Sequence, residues 1–195
     1  MVWLLPLHAQ QIIDKVVARV DADIITQSDV QSAVGLGIVP KPEGASLQPS
    51  LDRLIDRRLM LIEVQRFPPP EPVAAVVDAE LAAIRMRVGA ALPRLMDTTG
   101  LDEIRLREAA RENVRIRAYL DQRFGATVQV SDDEVDRYYR AHRDEFLRDG
   151  LLIPFTEAEP VARQKASAER RDATIAQWVA GLRARANVSF PLPQG

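Results

Sequence analysis

A histidine and two tyrosines in the second half of the chain are the residues best placed for acid–base chemistry. His142 follows Tyr138 and Tyr139 at helical spacing, so the three side chains can share one side of a helix. A histidine titrates near neutral pH and could serve as a general base. The chain offers it no partner, because the only other histidine is His8 and cysteine is absent. A packing or helix-capping role for His142 is therefore the simpler interpretation.

A run of carboxylates precedes this histidine and raises the question of a metal site. Asp132, Asp133, Glu134 and Asp136 supply the oxygen ligands that calcium or magnesium would bind. Acidic residues also favour the first turn of any helix, because they complement the helix dipole. Ser131 and Glu134 have the spacing of a capping box, which marks such a first turn. We therefore expect the run to begin a helix and to hold no metal.

An arginine-rich stretch, TGLDEIRLREAARENVRIRAYLDQRFG, predicts a long helix that ends at Gly125. Its arginines leave three interpretations open: a solvated face, the rim of a groove that offers planar donors to a bound polypeptide, or a surface for an anionic membrane. Interleaved acidic residues weaken the membrane interpretation. The arginines are Arg105, Arg107, Arg111, Arg115 and Arg123, and the acidic residues are Glu103, Glu108, Glu112 and Asp121.

The composition excludes several classes of function. Lys and Arg number 26 against 28 Asp and Glu, with the two signs interleaved, which argues against a nucleic-acid-binding face. The absence of cysteine excludes disulfides and thiolate catalysis. The glycines of GLGIVPKPEG lack the strand-to-helix context of a phosphate-binding loop, and neither a P-loop nor a nucleophile elbow is present. We expect no ATP, no other cofactor and no enzymatic centre.

The stretch DKVVARVDADIITQSDV, residues 14–30, predicts a β-hairpin that leads directly into a helix. β-Branched residues occupy Val16–Val20 and Ile24–Thr26 on either side of a short turn, and Ser28 has the position of a helix N-cap. A two-stranded hairpin is marginally stable alone, and a third strand usually stabilises it. We therefore expect a last strand, Val188–Phe190, to pair with the hairpin and bring the two chain ends together.

Apolar periodicity predicts helices through most of the remaining chain. Thr156 and Glu159 have the spacing of a second capping box, and the helix that they would open is polar nearly all round in its first half. Such a helix must extend into solvent or bridge separate parts of the molecule. The predicted fold class is mainly α, a helical bundle with a small antiparallel sheet formed by the N-terminal hairpin and the C-terminal strand. The expected helices reach about residue 36 and then cover residues 51–67, 73–88, 92–96, 101–124, 131–146 and 156–186.

The first residues, MVWLLPLHAQQ, look like the end of a secretory signal peptide. An apolar stretch from Val2 to Leu7 is followed by the small residue Ala9, although no positively charged region precedes it. We interpret residues 1–11 as the remnant of such a signal. No apolar run is long enough to span a membrane, so we expect no stable membrane insertion.

The order of the segments resembles the SurA-like periplasmic chaperones, the family that carries parvulin-type peptidyl-prolyl isomerase domains. The hairpin is followed by LDRLIDRRLMLIEVQRF, by the arginine-rich helix, by VSDDEVDRYYRAHRDEF and by IAQWVAGLRARANVSF. The resemblance implies one module over residues 12–190, made of an N-terminal helical region (12–147) and a C-terminal helix and strand (156–190), with 191–195 as a tail. The family inserts its isomerase domains at the position of residues 148–155, which we expect to form a short crossover that is too short to hold such a domain.

The resemblance implies an ATP-independent holdase, located in the periplasm, for unfolded outer-membrane or secreted proteins. It implies no isomerase activity, because the glycine-rich stretch and paired histidines of a parvulin domain are missing. A helical adaptor or surface-binding protein and an isomerase with residual activity remain as alternatives, and a homodimer is compatible with the sequence. We expect a client-binding groove near the junction with the C-terminal helix, although most of its candidate residues could equally belong to the core. The candidates are Met86, Met96, Tyr138, Tyr139, Phe146, Phe155 and Trp178.

Overall fold

The computed structural model describes residues 14–44, 46–125 and 129–191. The predicted signal remnant (1–11) and most of the predicted tail (191–195) lie outside these residues. The described chain is mainly α-helical and carries a small antiparallel sheet, as predicted. No described helix combines the length and the apolar composition needed to cross a bilayer. The strands are β1 (Val16–Val20), β2 (Asp23–Thr26), β3 (Leu147–Arg148), β4 (Leu151–Leu152) and β5 (Val188–Ser189), and the α-helices are α1 (Gln27–Gly35), α2 (Gln48–Arg66), α3 (Ala74–Val88), α4 (Leu92–Thr99), α5 (Glu103–Phe124), α6 (Asp132–Ala141) and α7 (Phe155–Arg185).

The two ends of the described chain meet in a three-stranded sheet with the order β2-β1-β5. β5 runs antiparallel to β1, with Val188 opposite Val20 and Ser189 opposite Arg19. Two hydrogen bonds extend the pairing: Asp21 N–H donates to the Asn187 carbonyl at 2.9 Å, and Asn187 N–H donates to the Asp21 side-chain carboxylate at 3.0 Å. The prediction that the last strand completes the N-terminal hairpin is confirmed.

Two predicted helix caps are wrong, and each error has a local cause. Thr26, not Ser28, is the N-cap of α1: its hydroxyl accepts from Asp29 N–H, and its own N–H donates to the Asp29 carboxylate. The Ser28 hydroxyl donates instead to Asp14. The second capping box does not form, because α7 begins one residue earlier than predicted, with Pro154 as its N-cap.

Three groups of elements each pack around a cluster of buried side chains, and a fourth cluster joins α2 to α5 through Leu61, Val64, Ile116 and Tyr119. The body consists of the three-stranded sheet, α1, α2 and the second half of α7, with Ile55 fully buried at its centre. The arm consists of α3, α4 and α5, packed around Ile84 and Leu106. The hairpin lobe consists of α6, a 3₁₀ helix (Arg143–Phe146), the β3–β4 hairpin and the first half of α7.

The long helix α7 joins the hairpin lobe to the body. Its first half buries Ala158, Ala162 and Ala166, spaced four residues apart on one side of the helix, with Ala158 and Ala162 in the core of the hairpin lobe. Its second half buries Leu182 in the body and packs Trp178 against α5. The predicted polar half of α7 therefore has a narrow alanine face through which it packs on α6.

A tight turn occupies the position where the resemblance places an inserted domain. Asp149 and Gly150 both have positive φ angles, 52° and 79°, as expected for a two-residue turn of type I′. The turn joins β3 to β4, with Leu147 opposite Leu152 and Arg148 opposite Leu151. The stretch that the sequence analysis assigned to a crossover is thus a β-hairpin.

Candidate functional site

The acidic run at the start of α6 is occupied by interactions within the chain. Ser131 and Glu134 form the predicted capping box, with Ser131 N–H donating to Glu134 at 2.9 Å and Glu134 N–H donating to the Ser131 hydroxyl at 3.3 Å. Asp132 accepts from Arg163 at 2.6 Å, and Asp136 pairs with Arg140 at 2.7 Å. Among residues 14–44, 46–125 and 129–191, no group of three or more His, Cys, Asp or Glu side chains is arranged to hold a metal ion.

His142 caps α6 and packs on an aromatic ring. Its imidazole stacks on Tyr138 with ring centroids 4.1 Å apart, and its backbone N–H donates to the Tyr138 carbonyl at 3.0 Å. The Tyr138 hydroxyl donates to Glu145, which also accepts from Lys165 at 2.7 Å. The hydrogen bond from Lys165, followed by that from Tyr138, lowers the pKa of the Glu145 carboxyl. The geometry around His142 is that of packing and capping, in agreement with the simpler interpretation of the sequence.

The arginines of α5 form ion pairs that join α5 to α3 and to the segment before it. Arg107 pairs with Asp78 at 2.7 Å, and Arg117 pairs with Glu80 at 3.1 Å. The Arg111 Nε donates to Glu71 at 2.8 Å. Arg107 and Arg111 also line a groove of about 760 Å³ between α3 and α5. These ion pairs stabilise the arm, and they balance the positive charge of part of the predicted arginine face within the chain.

Four of the seven candidate residues converge in the hairpin lobe. Tyr139 lies 5.1 Å from Phe146 and 5.4 Å from Phe155, measured between ring centroids, and Tyr138 contacts the edge of Phe146. Tyr139 and Phe146 are only 7% and 2% exposed, and the Tyr139 hydroxyl donates to the Ile153 carbonyl. Tyr139 and Phe146 therefore form the core of the lobe, whereas the half-buried Tyr138 also lines a groove of about 350 Å³ between α6 and α7.

The other three candidates lie in different places. Trp178 stacks on Tyr119 and contacts Phe124 between α7 and α5, and Met96 packs against the core of the arm. Met86 is 84% exposed on the outer face of α3. The structure does not bring the seven side chains into one groove. Most of them pack instead in the core of the lobe, in the contact between α5 and α7, or in the core of the arm.

A groove does exist at the junction of the body with α7, where the sequence analysis expected one, but other residues line it. It has a volume of about 480 Å³ and lies between α2 and α7, with Met60, Ile175 and Val179 among its apolar residues. Arg183 crosses it and binds Asp52 at 2.6 Å. Burial raises the pKa of the neighbouring Asp56 carboxyl, an effect that the charge of Arg183 opposes. None of the seven candidate residues lines this groove.

The hairpin lobe displays a cluster of exposed apolar side chains on both faces of its hairpin, which the sequence analysis missed. Its members are 40 to 75% exposed. Leu147 and Leu152 are cross-strand partners on one face, whereas Leu151 pairs with Arg148 on the other face, which is turned toward α7. Glu157 and Lys165, which flank Val161 at four-residue spacing on α7, bind Arg148 and Glu145 at 2.7 Å. These two ion pairs place Val161 on the side of α7 that faces the hairpin. We name this cluster the hairpin surface; it consists of Leu147, Leu151, Leu152 and Val161.

The backbone of the hairpin adds polar groups to this apolar surface. In the part of the chain that the structure describes, β3 and β4 pair only with each other, so the outer edge of each strand has backbone groups available. An edge strand can pair with another extended chain through backbone hydrogen bonds, whatever the sequence of that chain. The hairpin surface thus combines apolar side chains, strand edges and flanking ion pairs, an arrangement suited to extended polypeptides.

Comparisons with known proteins assign no family. Neither a scan of the chain against protein-family models nor a search of curated proteins gives a match. The chemistry of the hairpin surface and the resemblance in segment order are therefore the two features that bear on function.

Proposed function

We propose that this protein is an ATP-independent chaperone that holds unfolded polypeptides at the hairpin surface. The observation that supports the proposal is the exposure of Leu147, Leu151 and Leu152 on a hairpin with two available strand edges. An exposed apolar cluster bordered by charged residues marks an interaction site, and the ion pairs around it keep the lobe soluble. A folded client hides its apolar side chains and pairs its strands, so the surface favours the unfolded state of the client.

The size of the hairpin surface predicts weak and reversible binding. Burying each of three leucines contributes roughly 1.5–3 kcal/mol. Part of this is lost to the ordering of a flexible client. Micromolar affinity corresponds to about 8 kcal/mol, so one hairpin surface reaches at most this range. A complex of this affinity dissociates spontaneously, which fits a chaperone that works without nucleotide.

The resemblance to SurA-like chaperones supports a more specific proposal about clients and location. It favours unfolded outer-membrane or secreted proteins as clients and the periplasm as the compartment. Strands of outer-membrane proteins alternate apolar and polar side chains, a pattern that could place leucine-sized residues on the hairpin surface while pairing along β3 or β4.

The test is suppression of aggregation of an unfolded β-barrel protein diluted from denaturant, without nucleotide. We expect the wild-type protein to suppress aggregation at a near-stoichiometric ratio. Leu151→Asp should abolish most of this effect, because it places a charge where an apolar side chain must be buried. Ile104→Asp is the matched control, since Ile104 is 79% exposed on the arm and Leu151 is 75% exposed.

Different outcomes test whether the protein is a chaperone and whether the client binds at the hairpin surface. A wild-type protein that leaves aggregation unchanged would contradict the chaperone proposal. Suppression that survives Leu151→Asp but is lost in Ile104→Asp would instead place the client on the arm. Acceleration of proline-limited refolding would support the isomerase alternative, and binding to anionic vesicles without any effect on unfolded chains would support a surface-binding protein.

A further inference from the structure

The register of the β3–β4 hairpin determines which of its backbone groups point outward. The two residues that flank the turn face each other as a hydrogen-bonded pair, as in other two-residue hairpins. The next hydrogen-bonded pair contains Ile153, whose N–H donates to the Phe146 carbonyl at 2.8 Å. Leu147 and Leu152 lie between these two pairs and form a non-hydrogen-bonded pair. Their N–H and carbonyl groups therefore point away from each other, toward the outer edges of the hairpin.

Along the outer edge of β4 in the described hairpin, only Leu152 is positioned to pair with an added strand. Backbone groups of alternate residues point to the same edge, so positions 150 and 154 are its neighbours there. Gly150 belongs to the turn, with a φ angle of 79°. Pro154 has no N–H, and its carbonyl already accepts from Glu157 and Ala158 N–H at 3.0 Å. An added strand can thus exchange two hydrogen bonds with this edge, both at Leu152.

The exposed side chains favour the edge of β4 over the edge of β3. Leu151 and Leu152 are consecutive and lie on opposite faces of the hairpin, where they are 75% and 40% exposed. A strand added to β4 would therefore meet one leucine on each face. On β3, Leu147 is followed by Arg148, which pairs with Glu157 at 2.7 Å. A strand added to β3 would meet one leucine and one ion pair.

We propose that β4 binds an extended client segment that carries two consecutive apolar residues. The inference rests on the proposed chaperone function and names the class of segment that the site recognises. In an antiparallel arrangement, which is the more stable per residue, the first apolar residue of the client lies opposite Leu152 and the second lies opposite Leu151. The first residue exchanges both backbone hydrogen bonds with Leu152, and the two client side chains pack on the two leucines.

The order of residues in the client should matter as well as their composition. A segment that strictly alternates apolar and polar residues can place an apolar side chain on Leu151 or on Leu152, but not on both. Within an unfolded outer-membrane protein, the inference therefore favours stretches in which two apolar residues are adjacent.

Two short fluorescent peptides of equal composition test this selectivity. One carries leucine and valine as neighbours between serines, and the other carries the same residues with a serine between the leucine and the valine. Fluorescence anisotropy with the wild-type protein measures both affinities. We expect the peptide with adjacent apolar residues to bind roughly tenfold more tightly, because it buries a second large apolar side chain. Equal affinities would overturn the inference.

Methylation of single amide nitrogens in the first peptide tests the backbone pairing. N-methylation of the first apolar residue removes the donor to the Leu152 carbonyl and should weaken binding roughly 3- to 10-fold. N-methylation of the second apolar residue is the matched control, because its N–H points away from β4 and the affinity should stay unchanged. A loss at the second residue only, or at neither residue, would contradict the antiparallel pairing at Leu152.

A variant of the protein tests the same hydrogen bonds from the other side. Leu152→Pro removes the N–H that donates to the client, and an edge strand tolerates proline where the N–H has no partner within the sheet. We expect an unchanged far-ultraviolet circular dichroism spectrum and binding of the first peptide that is roughly 3- to 10-fold weaker than in Leu152→Val, the matched control that keeps the N–H. Equal binding by the two variants would count against the inference. If Leu152→Pro fails to fold, the N-methylated peptides still decide with the wild-type protein.

These measurements also distinguish the client segment from the chaperone function. A protein that suppresses aggregation but binds both peptides equally would keep the chaperone function and lose the pairing at β4. A protein that neither suppresses aggregation nor binds either peptide would contradict both proposals. If the wild-type protein bound neither peptide and Leu152→Pro converted a dimer into monomers, a second copy of the chain would cover β4 and the inference would be wrong.

Discussion

The two halves of α7 hold different parts of the molecule by different means. The second half enters the body, where Leu182 is buried together with residues of the sheet, α1 and α2. The first half fully buries only alanines, with Phe155 partly buried at its start, and on these the hairpin lobe packs a core of short elements around Tyr139 and Phe146. The body joins both ends of the described chain, whereas the hairpin lobe is a local structure made from residues 130–166.

This difference suggests that the body provides most of the stability and that the hairpin lobe provides the binding surface. Structural units with small local cores open at lower free energy than the global unfolding reaction, and binding elements are drawn from such units. The hairpin surface lies on the unit with the smaller core. We expect the hairpin lobe to open while the body stays folded, and the body to unfold only together with the lobe.

The largest effect should follow from a cavity in the body. Ile55 is fully buried on α2, so Ile55→Ala removes apolar contacts and leaves a void. We expect the free energy of unfolding to fall by about 2–5 kcal/mol. Denaturant unfolding followed by circular dichroism measures this change, and hydrogen exchange should show faster global opening in both the body and the lobe. A loss of hydrogen-exchange protection confined to residues 130–166 would contradict the expectation that the lobe unfolds whenever the body does.

A smaller and local effect is expected from overpacking the hairpin lobe. Ala162 is fully buried where α7 meets α6, and Ala162→Leu would force the two helices apart. We expect a cost of about 1–3 kcal/mol. Hydrogen exchange should show lost protection in α6 with protection retained in α2. Ala168→Leu, at an exposed position of the same helix, is the control and should change neither.

The next effect in size concerns the start of α6. Ser131→Ala removes the hydroxyl that accepts from Glu134 N–H, and such a change costs about 0.5–2 kcal/mol. Hydrogen exchange of the first turn of α6 measures the loss, while exchange in α3 should stay as in the wild type. An equal change in both helices would show that the cap is coupled to the whole fold.

The smallest effect should come from acid. Hydrogen bonds from the Ser131 backbone and side chain lower the pKa of Glu134, and the hydrogen bond from Lys165 lowers that of Glu145, both below the ordinary value of 4.5. The contribution of these carboxylates to lobe stability is present above pH 4.5 and is lost as the pH falls through the lowered pKa values. The NMR signals of Tyr139 should then change before those of Trp178. Glu145→Gln should reduce this pH dependence. If the NMR signals of Tyr139 and Trp178 changed at the same pH, the lobe would not be losing stability before the body, and the prediction would be wrong.

The sequence was sufficient to predict the parts of the fold that depend on periodicity and strong local signals. The helices, the Ser131–Glu134 capping box and the pairing of the last strand with the N-terminal hairpin follow from such patterns. The cap at Thr26 was missed because Ser28 is an equally good cap by residue type, and only the hydrogen bond of Ser28 to Asp14 distinguishes them.

The candidate site was harder to predict, because exposure is a property of the packed structure. Tyr139 and Phe146 have the residue types of a binding surface, yet they form the core of the lobe, while the leucines around them have the residue type of a core and are exposed. One available signal was overlooked. Asp149 and Gly150 between short apolar runs are typical of a two-residue hairpin, and this pattern predicts the β3–β4 turn.

The pairing of β5 with β1 has a mechanical consequence. The two strands are antiparallel neighbours, so residues 14 and 191 emerge at the same end of the sheet, where Lys15, Val16, Phe190 and Pro191 line one groove. A pulling force applied through these two points would separate the strands like a zipper, breaking one residue pair after another instead of shearing all of them at once. The sheet that closes the fold would then be the first element to yield under tension, and it would do so at low force.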